Sequence, residues 1–181
     1  MTQDSIHLDM SSFNSLEYKE QSSTVRVGPG SNFDELYELA ESVGVNLVGG
    51  MCGTVGPVGY SLGGGHGPLI RSYGLGSDNI ESLDLVQANG EFLEGVTSSN
   101  NPDLFWAMAG GGGGTFGIVT SIELKAHPAP AQLTSLVCNW PLTVGNTTVG
   151  IDAMGTYFDD IMPNLVKEWS FFSIALKVRL S

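Results

Sequence analysis

At 181 residues the chain is long enough to bury one core, or one domain with part of a second. Its 7 Lys and Arg stand against 19 Asp and Glu, a formal charge of −12 with no basic cluster, which excludes nucleic acid and anionic membrane surfaces as partners because both need a cationic footprint. No apolar run reaches the length of a membrane span, MTQDSIHLDM lacks the basic and apolar regions of a secretory signal, and 2 cysteines and 3 scattered histidines give neither a disulfide framework nor a metal spacing.

In chain order, Ser5–Met10 alternates Ile6, Leu8 and Met10 and is expected to form a strand, followed by a turn at Ser12–Asn14. Leu16–Glu20 and Thr24–Gly28 predict two further short strands, and Gly28-Pro29-Gly30 breaks the sheet. Ser31 is the expected cap of a helix whose stripe is Phe33, Leu36, Leu39, Ala40 and Val43, with Asp34 and Glu35 at the positive end of its dipole and Gly44 as its stop. Val45–Val48 predicts a buried strand that delivers the chain into a glycine-dense stretch. A chain opening on a strand with no partner of its own looks cut.

That stretch, LVGGMCGTVGPVGYSLGGGHGPLIRSYGL, runs from Leu47 to Leu75. Nine of the nineteen residues from Gly49 to Gly67 are glycine, and Arg71 is its only charged residue. Glycine loses more backbone entropy on folding than any other residue, so this density needs a return; the usual one is a main chain that approaches a ligand closely and presents N–H groups to its oxygens. A plain linker would lack the apolar residues Val48, Met51, Val55, Val58, Tyr60 and Leu62 that interleave here.

Tyr73–Asn79 then predicts a polar turn, and Leu83–Ala88, Asn89-Gly90 and Glu91–Val96 a hairpin, with the Asn-Gly pair supplying positive dihedrals. Asn101-Pro102 opens a short helix with its body at Asp103–Ala109. Six glycines among the eight residues Gly110–Gly117 lead into a strand at Ile118–Lys125. His127-Pro128-Ala129-Pro130 has the composition of a boundary. Beyond it a strand at Leu133–Trp140, a helix at Thr147–Leu165 and a strand at Trp169–Leu180 are expected, a piece too small to close its own core.

Gly112-x-Gly114-x-x-Gly117 matches the dinucleotide fingerprint in letters, but the fingerprint needs a strand before it and a helix after, and here the order is reversed, so a Rossmann reading fails. Cys52 is either an inert structural thiol or, among exposed backbone amides, a thiol disposed to act as a thiolate nucleophile. His66 is either a ligand donor or a structural histidine; Asp78 and Asn79 are expected to cap backbone turns, and His7 to lie at the surface. No Ser–His–Asp, Cys–His or carboxylate-pair spacing emerges, so any chemistry falls to a bound cofactor.

The stretches GGMCGTVGPVGYSLGGGHGPLIRSYGLGSDNIESLDLV and NPDLFWAMAGGGGGTFGIVTSIELKAHPAP together resemble, in matching order over about residues 5 to 130, the berberine bridge enzyme-like FAD-linked oxidoreductases of the vanillyl-alcohol oxidase superfamily, and GGGHGPL is most like fungal members. The resemblance implies an α+β fold: a PCMH-type FAD-binding domain, incomplete at its N-terminus, over residues 1–127, then the beginning of an antiparallel-sheet substrate domain over 128–181. It implies FAD as cofactor, held by Cys52, Gly53, Thr54, Val55, Gly56, Tyr60, Gly63, Gly64, Gly65, His66, Gly117 and Ile118, with Cys52, in the GxCxTVG motif, bonded to C6 of the isoalloxazine. Tyr60 falls where plant members often carry a histidine. The expected partners are a small-molecule substrate (an alcohol, a sugar or a secondary metabolite) and O2, with hydride passing to flavin N5; no metal is expected. The family's second flavin link, an upstream histidine, and its catalytic base fall outside the matching residues, so a truncated chain that binds flavin weakly or only mediates interactions is the alternative. A noncovalent flavin reductase is disfavoured by Cys52. Compartment is left open, because family members are commonly secreted while this chain shows no signal.

Overall fold

The structure is a computed structural model that describes residues 6–130, 155–156, 159–160 and 162–164. The chain divides into two compact units, Met1–Ala129 and Pro130–Ser181. In the second, Gly155 and Thr156 are helical and Met162–Asn164 form a 3-10 turn. The strands expected at Leu133–Trp140 and Trp169–Leu180, and most of the helix expected at Thr147–Leu165, lie outside the described residues.

Among the described residues of the first unit, five strands form an antiparallel sheet: β1 (Leu16–Lys19), β2 (Thr24–Val27), β4 (Ile80–Val86), β5 (Phe92–Val96) and β6 (Ile118–Lys125), in the order β1-β2-β6-β4-β5. A short pair joins β3 (Val45–Asn46) to β7 (His127–Pro128), so Pro128 pairs with Val45 inside the first unit. The side-chain alternation of the strands gives the sheet two unlike faces. Val25, Val27, Leu83, Leu85, Ile122 and Leu124 are buried in the core with Phe33, Leu36 and Ala40 of α1 (Phe33–Val43), Val58 and Leu62 of α2 (Pro57–Leu62), and Met108 of α4 (Pro102–Gly111). Off that core run the polar groups. Lys19 pairs with Glu123 and Arg26 with Asp84. Asp84 also accepts from the Ser121 hydroxyl at 2.8 Å and from the Gly95 N–H at 2.7 Å.

Several local expectations are corrected. Ile6–Met10 is not a strand: Ile6 is 91% and Leu8 57% exposed, and alternation alone cannot hold a strand without a hydrogen-bonded neighbour. The α1 cap is Asn32, not Ser31; its side chain accepts from the Glu35 N–H while the Glu35 carboxylate accepts from the Asn32 N–H, a capping box legible as Asn-x-x-Glu. In the turn joining β4 to β5 Gly90 has positive φ, +85°, and Asn89 does not; the turn closes from the Gly90 N–H to the Gln87 carbonyl. Strand β3 stops at Asn46, although Leu47 and Val48 continue it as buried residues. The α4 helix loses helical geometry at Ala109 and Gly110, where φ turns to +101° at the glycine. The glycine stretch contains two helices, α2 and α3 (Ile70–Tyr73), that its glycine content concealed.

Candidate functional site

Cys52 is exposed and sits in a four-residue turn, Cys52–Val55, closed by the Val55 N–H donating to the Cys52 carbonyl at 3.2 Å. The turn is bolted to the start of α1. A helix N-terminus has orphan N–H groups, and here the Phe33 N–H donates to the Val55 carbonyl and the Asp34 N–H to the Gly53 carbonyl, each at 3.0 Å, while Asn32 takes the next two. The α1 amides are therefore spent on the protein's own chain, positioning the cysteine turn. Gly53 leaves room for the Asp34 carboxylate beside this contact: a Cβ there would lie 1.7 Å from Asp34 Oδ1, at the end of an exposed side chain. The Thr54 hydroxyl stands 3.5 Å from Cys52 Sγ. Met51 (65%) and Val55 (41%) are exposed beside them, so the turn presents sulfur, hydroxyl and apolar surface together.

Gly56 and Pro57 then start α2 in the order that suits a helix entry, Pro at the first position costing no hydrogen bond. The helix carries Tyr60 into the middle of the glycine stretch. Its ring meets Phe33 edge to face at 5.0 Å, and Phe33 stacks in turn on Tyr37 at 5.3 Å. The positions where Gly65 and Gly76 would carry a Cβ fall 2.6 Å and 2.8 Å from the Tyr60 ring, so small residues are what let the stretch wrap that aromatic. At Gly67 a Cβ would come within 2.0 Å of the Gly49 carbonyl oxygen, a main-chain contact that admits no side chain. Tyr37 donates to the Gly50 carbonyl at 2.5 Å, and its hydroxyl is pushed up to about 12 by burial and then by Tyr60 beside it. Burial raises Tyr60 as well, and its buried hydroxyl has no hydrogen-bond partner among the described residues.

The two glycine runs meet at the end of α2. The Gly112 N–H donates to the Leu62 carbonyl at 2.9 Å, the Gly64 carbonyl accepts from the Ser77 N–H at 2.8 Å, and a Gly110 Cβ would fall 3.7 Å from the Ser77 side chain. Gly63, Gly64 and Gly65 are thus beside the run that begins at Gly110, and His66 is exposed at their tip. Gly117 and Ile118 sit elsewhere, against β4: a Gly117 Cβ would lie 2.5 Å from Leu85, and Ile118 pairs with Val86. Asp78 and Asn79 cap backbone as expected. Asp78 accepts from the Leu75 N–H, and the buried Asn79 amide donates to the Tyr73 and Leu75 carbonyls.

Three features of this surface fit a flavin dinucleotide. Gly64 (φ +105°) and Gly114 (φ +78°) have open space where a Cβ would project, a cradle for a ligand against the main chain. The stretch Leu47–Leu75 holds no carboxylate, so an anionic pyrophosphate meets no like charge within it despite the chain's overall −12. The exposed Met51, Cys52 and Val55 offer a flat aromatic ring an apolar seat next to a sulfur. Among the described residues no group of His, Cys, Asp or Glu is arranged to hold a metal ion, and no helix is long and apolar enough to cross a membrane.

Comparison with known proteins gives the same cofactor. The family model described as FAD binding domain matches residues 1–95, just over half of the 181. The chain is 52% identical over 105 residues to the FAD-linked oxidoreductase ZEB1 of Gibberella zeae, covering 58% of this chain and 18% of that protein. It is 40% identical over 131 residues to berberine bridge enzyme-like 24 of Arabidopsis thaliana, covering 71% and 24%. Among solved structures, berberine bridge enzyme from Eschscholzia californica superposes with a TM-score of 0.61 at 37% identity, over 66% of this chain and 24% of that one. The chain therefore spans about a fifth to a quarter of the length of these relatives. The chain belongs to the FAD-binding domain family, with an α+β fold similar to that of solved VAO-type flavoproteins and of berberine bridge enzyme.

Proposed function

We propose that this chain is the part of an FAD-dependent oxidase that seats the flavin, with Cys52 bonded to the ring and a small alcohol, sugar or secondary metabolite as substrate. The observation that supports it most is the joining of the cysteine turn, through α1 and α2, to two glycine runs that meet at the Gly112–Leu62 hydrogen bond. Bound FAD would supply the hydride acceptor and the path of electrons to dioxygen.

The chain's own residues seat and orient it. Cys52, Gly53, Thr54, Val55 and Gly56 would hold the ring edge, with Met51 and Val55 excluding water from its face. Gly63, Gly64, Gly65 and His66 would line the pyrophosphate side through main-chain atoms. The Tyr60 hydroxyl, buried and without a partner among the described residues, is supplied with one if the cofactor or a water it orders reaches that point. Gly117 and Ile118 would serve the adenosine half through their backbone, from their separate place beside β4.

The test is production of hydrogen peroxide in air, coupled to bleaching of flavin absorbance without oxygen, on presenting alcohols and sugars to the purified chain with FAD. Peroxide with substrate-dependent bleaching supports the oxidase reading. Yellow protein that no substrate bleaches contradicts it and would point to a chain that binds flavin without turning over.

A further inference from the structure

The backbone on both sides of Thr54 is fixed. The Gly53 and Val55 carbonyls accept the first two amides of α1, and the Val55 N–H closes the turn onto the Cys52 carbonyl. Thr54 is β-branched, so its χ1 is stiff as well. A stiff side chain on an anchored turn places one hydroxyl 3.5 Å from Cys52 Sγ, with both residues exposed on the same surface. Among the neighbours from Met51 to Val55, Met51, Gly53 and Val55 have no side-chain donor, so Thr54 is the side chain of this turn able to give a hydrogen bond to the sulfur. A thiol reacts as its thiolate, and an O–H pointed at the sulfur stabilises the charge as it develops.

We propose that Thr54 is a positioning residue for Cys52: its hydroxyl holds the sulfur on the exposed face of the turn and donates to it as it becomes the nucleophile that bonds to the flavin. This role rests on the reading of the site as a covalent flavin site. In the step it serves, the Cys52 thiol gives its proton to solvent and its electron pair forms a carbon–sulfur bond at a ring carbon of the isoalloxazine. The hydrogen on that carbon leaves as a proton. The two electrons left on the ring pass to dioxygen, which takes up two protons to become hydrogen peroxide. Thr54 keeps its own proton throughout.

The experiment compares the full chain with Thr54→Val, which keeps the shape and removes the donor, Thr54→Ser, which restores it, and Cys52→Ala. One readout is the rate of Cys52 alkylation by iodoacetamide at neutral pH without flavin, located by peptide mass so that Cys138 is scored separately. The other is the rate at which the chain comes to retain flavin through denaturation during incubation with FAD in air. The hydroxyl is expected to be worth about 5- to 10-fold in both rates, lost in Thr54→Val and restored to within about 2-fold in Thr54→Ser, the scale of one net hydrogen bond. A Thr54→Val chain that alkylates and retains flavin at wild-type rates overturns the role of Thr54 while leaving the covalent site standing. Absence of Cys52-dependent flavin retention in every variant overturns the covalent reading and this role with it.

Discussion

Asp34 and Gly53 interlock at the candidate site. The Asp34 N–H donates to the Gly53 carbonyl at 3.0 Å, and the Asp34 carboxylate fills the space into which a Gly53 side chain would project. A helix start that in other proteins is left open to bind an anion is occupied here by the protein's own turn, and the residue that gains from it is the neighbouring Cys52.

Three glycine substitutions should differ in size and sign. Gly67→Ala drives a Cβ to 2.0 Å from the Gly49 carbonyl oxygen, and main chain on both sides must move; a loss of about 2 kcal/mol or more is expected. Gly53→Ala meets only the end of the exposed Asp34 side chain, which swings away, so its loss stays below about 1 kcal/mol. Gly59→Ala, in α2 with nothing within 4 Å, gains about 0.5–1 kcal/mol by lowering the entropy of the unfolded chain. Urea denaturation midpoints of the three variants check the order.

The two tyrosines packed on Phe33, Tyr37 of α1 and Tyr60 of α2, should separate. Tyr37→Phe removes a donor from the Gly50 carbonyl and is expected to cost about 1 kcal/mol. Tyr60→Phe removes a buried hydroxyl that has no partner among the described residues, so stability should be unchanged or slightly raised. If the Tyr60 hydroxyl serves bound flavin, the same variant weakens FAD binding, measured by equilibrium titration of flavin fluorescence, without lowering the urea midpoint.

Asp84 anchors the polar side of the sheet. Its side chain is 4% exposed and holds Arg26, the Ser121 hydroxyl and the Gly95 N–H. Asp84→Ala leaves these without their acceptor and should cost about 3 kcal/mol, somewhat softened because Arg26 can still reach water. Asp84→Asn keeps an acceptor and should lose less. Thermal unfolding of both variants tests the ranking.

His127 gives the first unit an acid-sensitive contact. The Asn79 amide nitrogen is committed to two carbonyls, so its oxygen faces His127 Nε2 at 2.7 Å and the imidazole must carry its proton there and donate. The ring also stacks on Tyr73 at 3.9 Å. Burial first, and then the positive charge of Lys125, hold His127 below its ordinary value of 6.5. As pH falls below that value the unfolded chain takes up a proton that the folded chain refuses, so this contribution to stability is present above it and lost on acidification through the folded value. Urea midpoints should fall as pH is lowered through and below the ordinary value of 6.5, and His127→Gln should flatten that part of the profile.

The sequence carried much of this, for physical reasons that differ from element to element. Strand β6 and helix α1 were legible because apolar spacing and the stop at Gly44 or the glycine run at 110–114 act locally. The Ile6–Met10 strand was misread because alternation reports two faces and not a partner. Ser31 and Asn32 are both good caps, and only the Glu35 carboxylate reaching back decides between them. Helix α2 was hidden by glycines at Gly56, Gly59 and Gly63, although the Gly56-Pro57 step is a helix entry. At the site, Cys52 and the glycine runs stood out by composition, while Tyr60 as the ring they wrap, and Asp34 as the anchor of the turn, depend on contacts across sequence that no local pattern encodes.

The most direct measurement is the intact mass and visible absorbance of the purified chain, denatured after incubation with FAD, beside its Cys52→Ala variant. Yellow protein with a flavin-sized mass increment in the wild type, absent from the variant, is the result expected for a flavin site built on the Cys52 turn. A colourless wild-type chain of unmodified mass, with no flavin binding detected before denaturation, would contradict it.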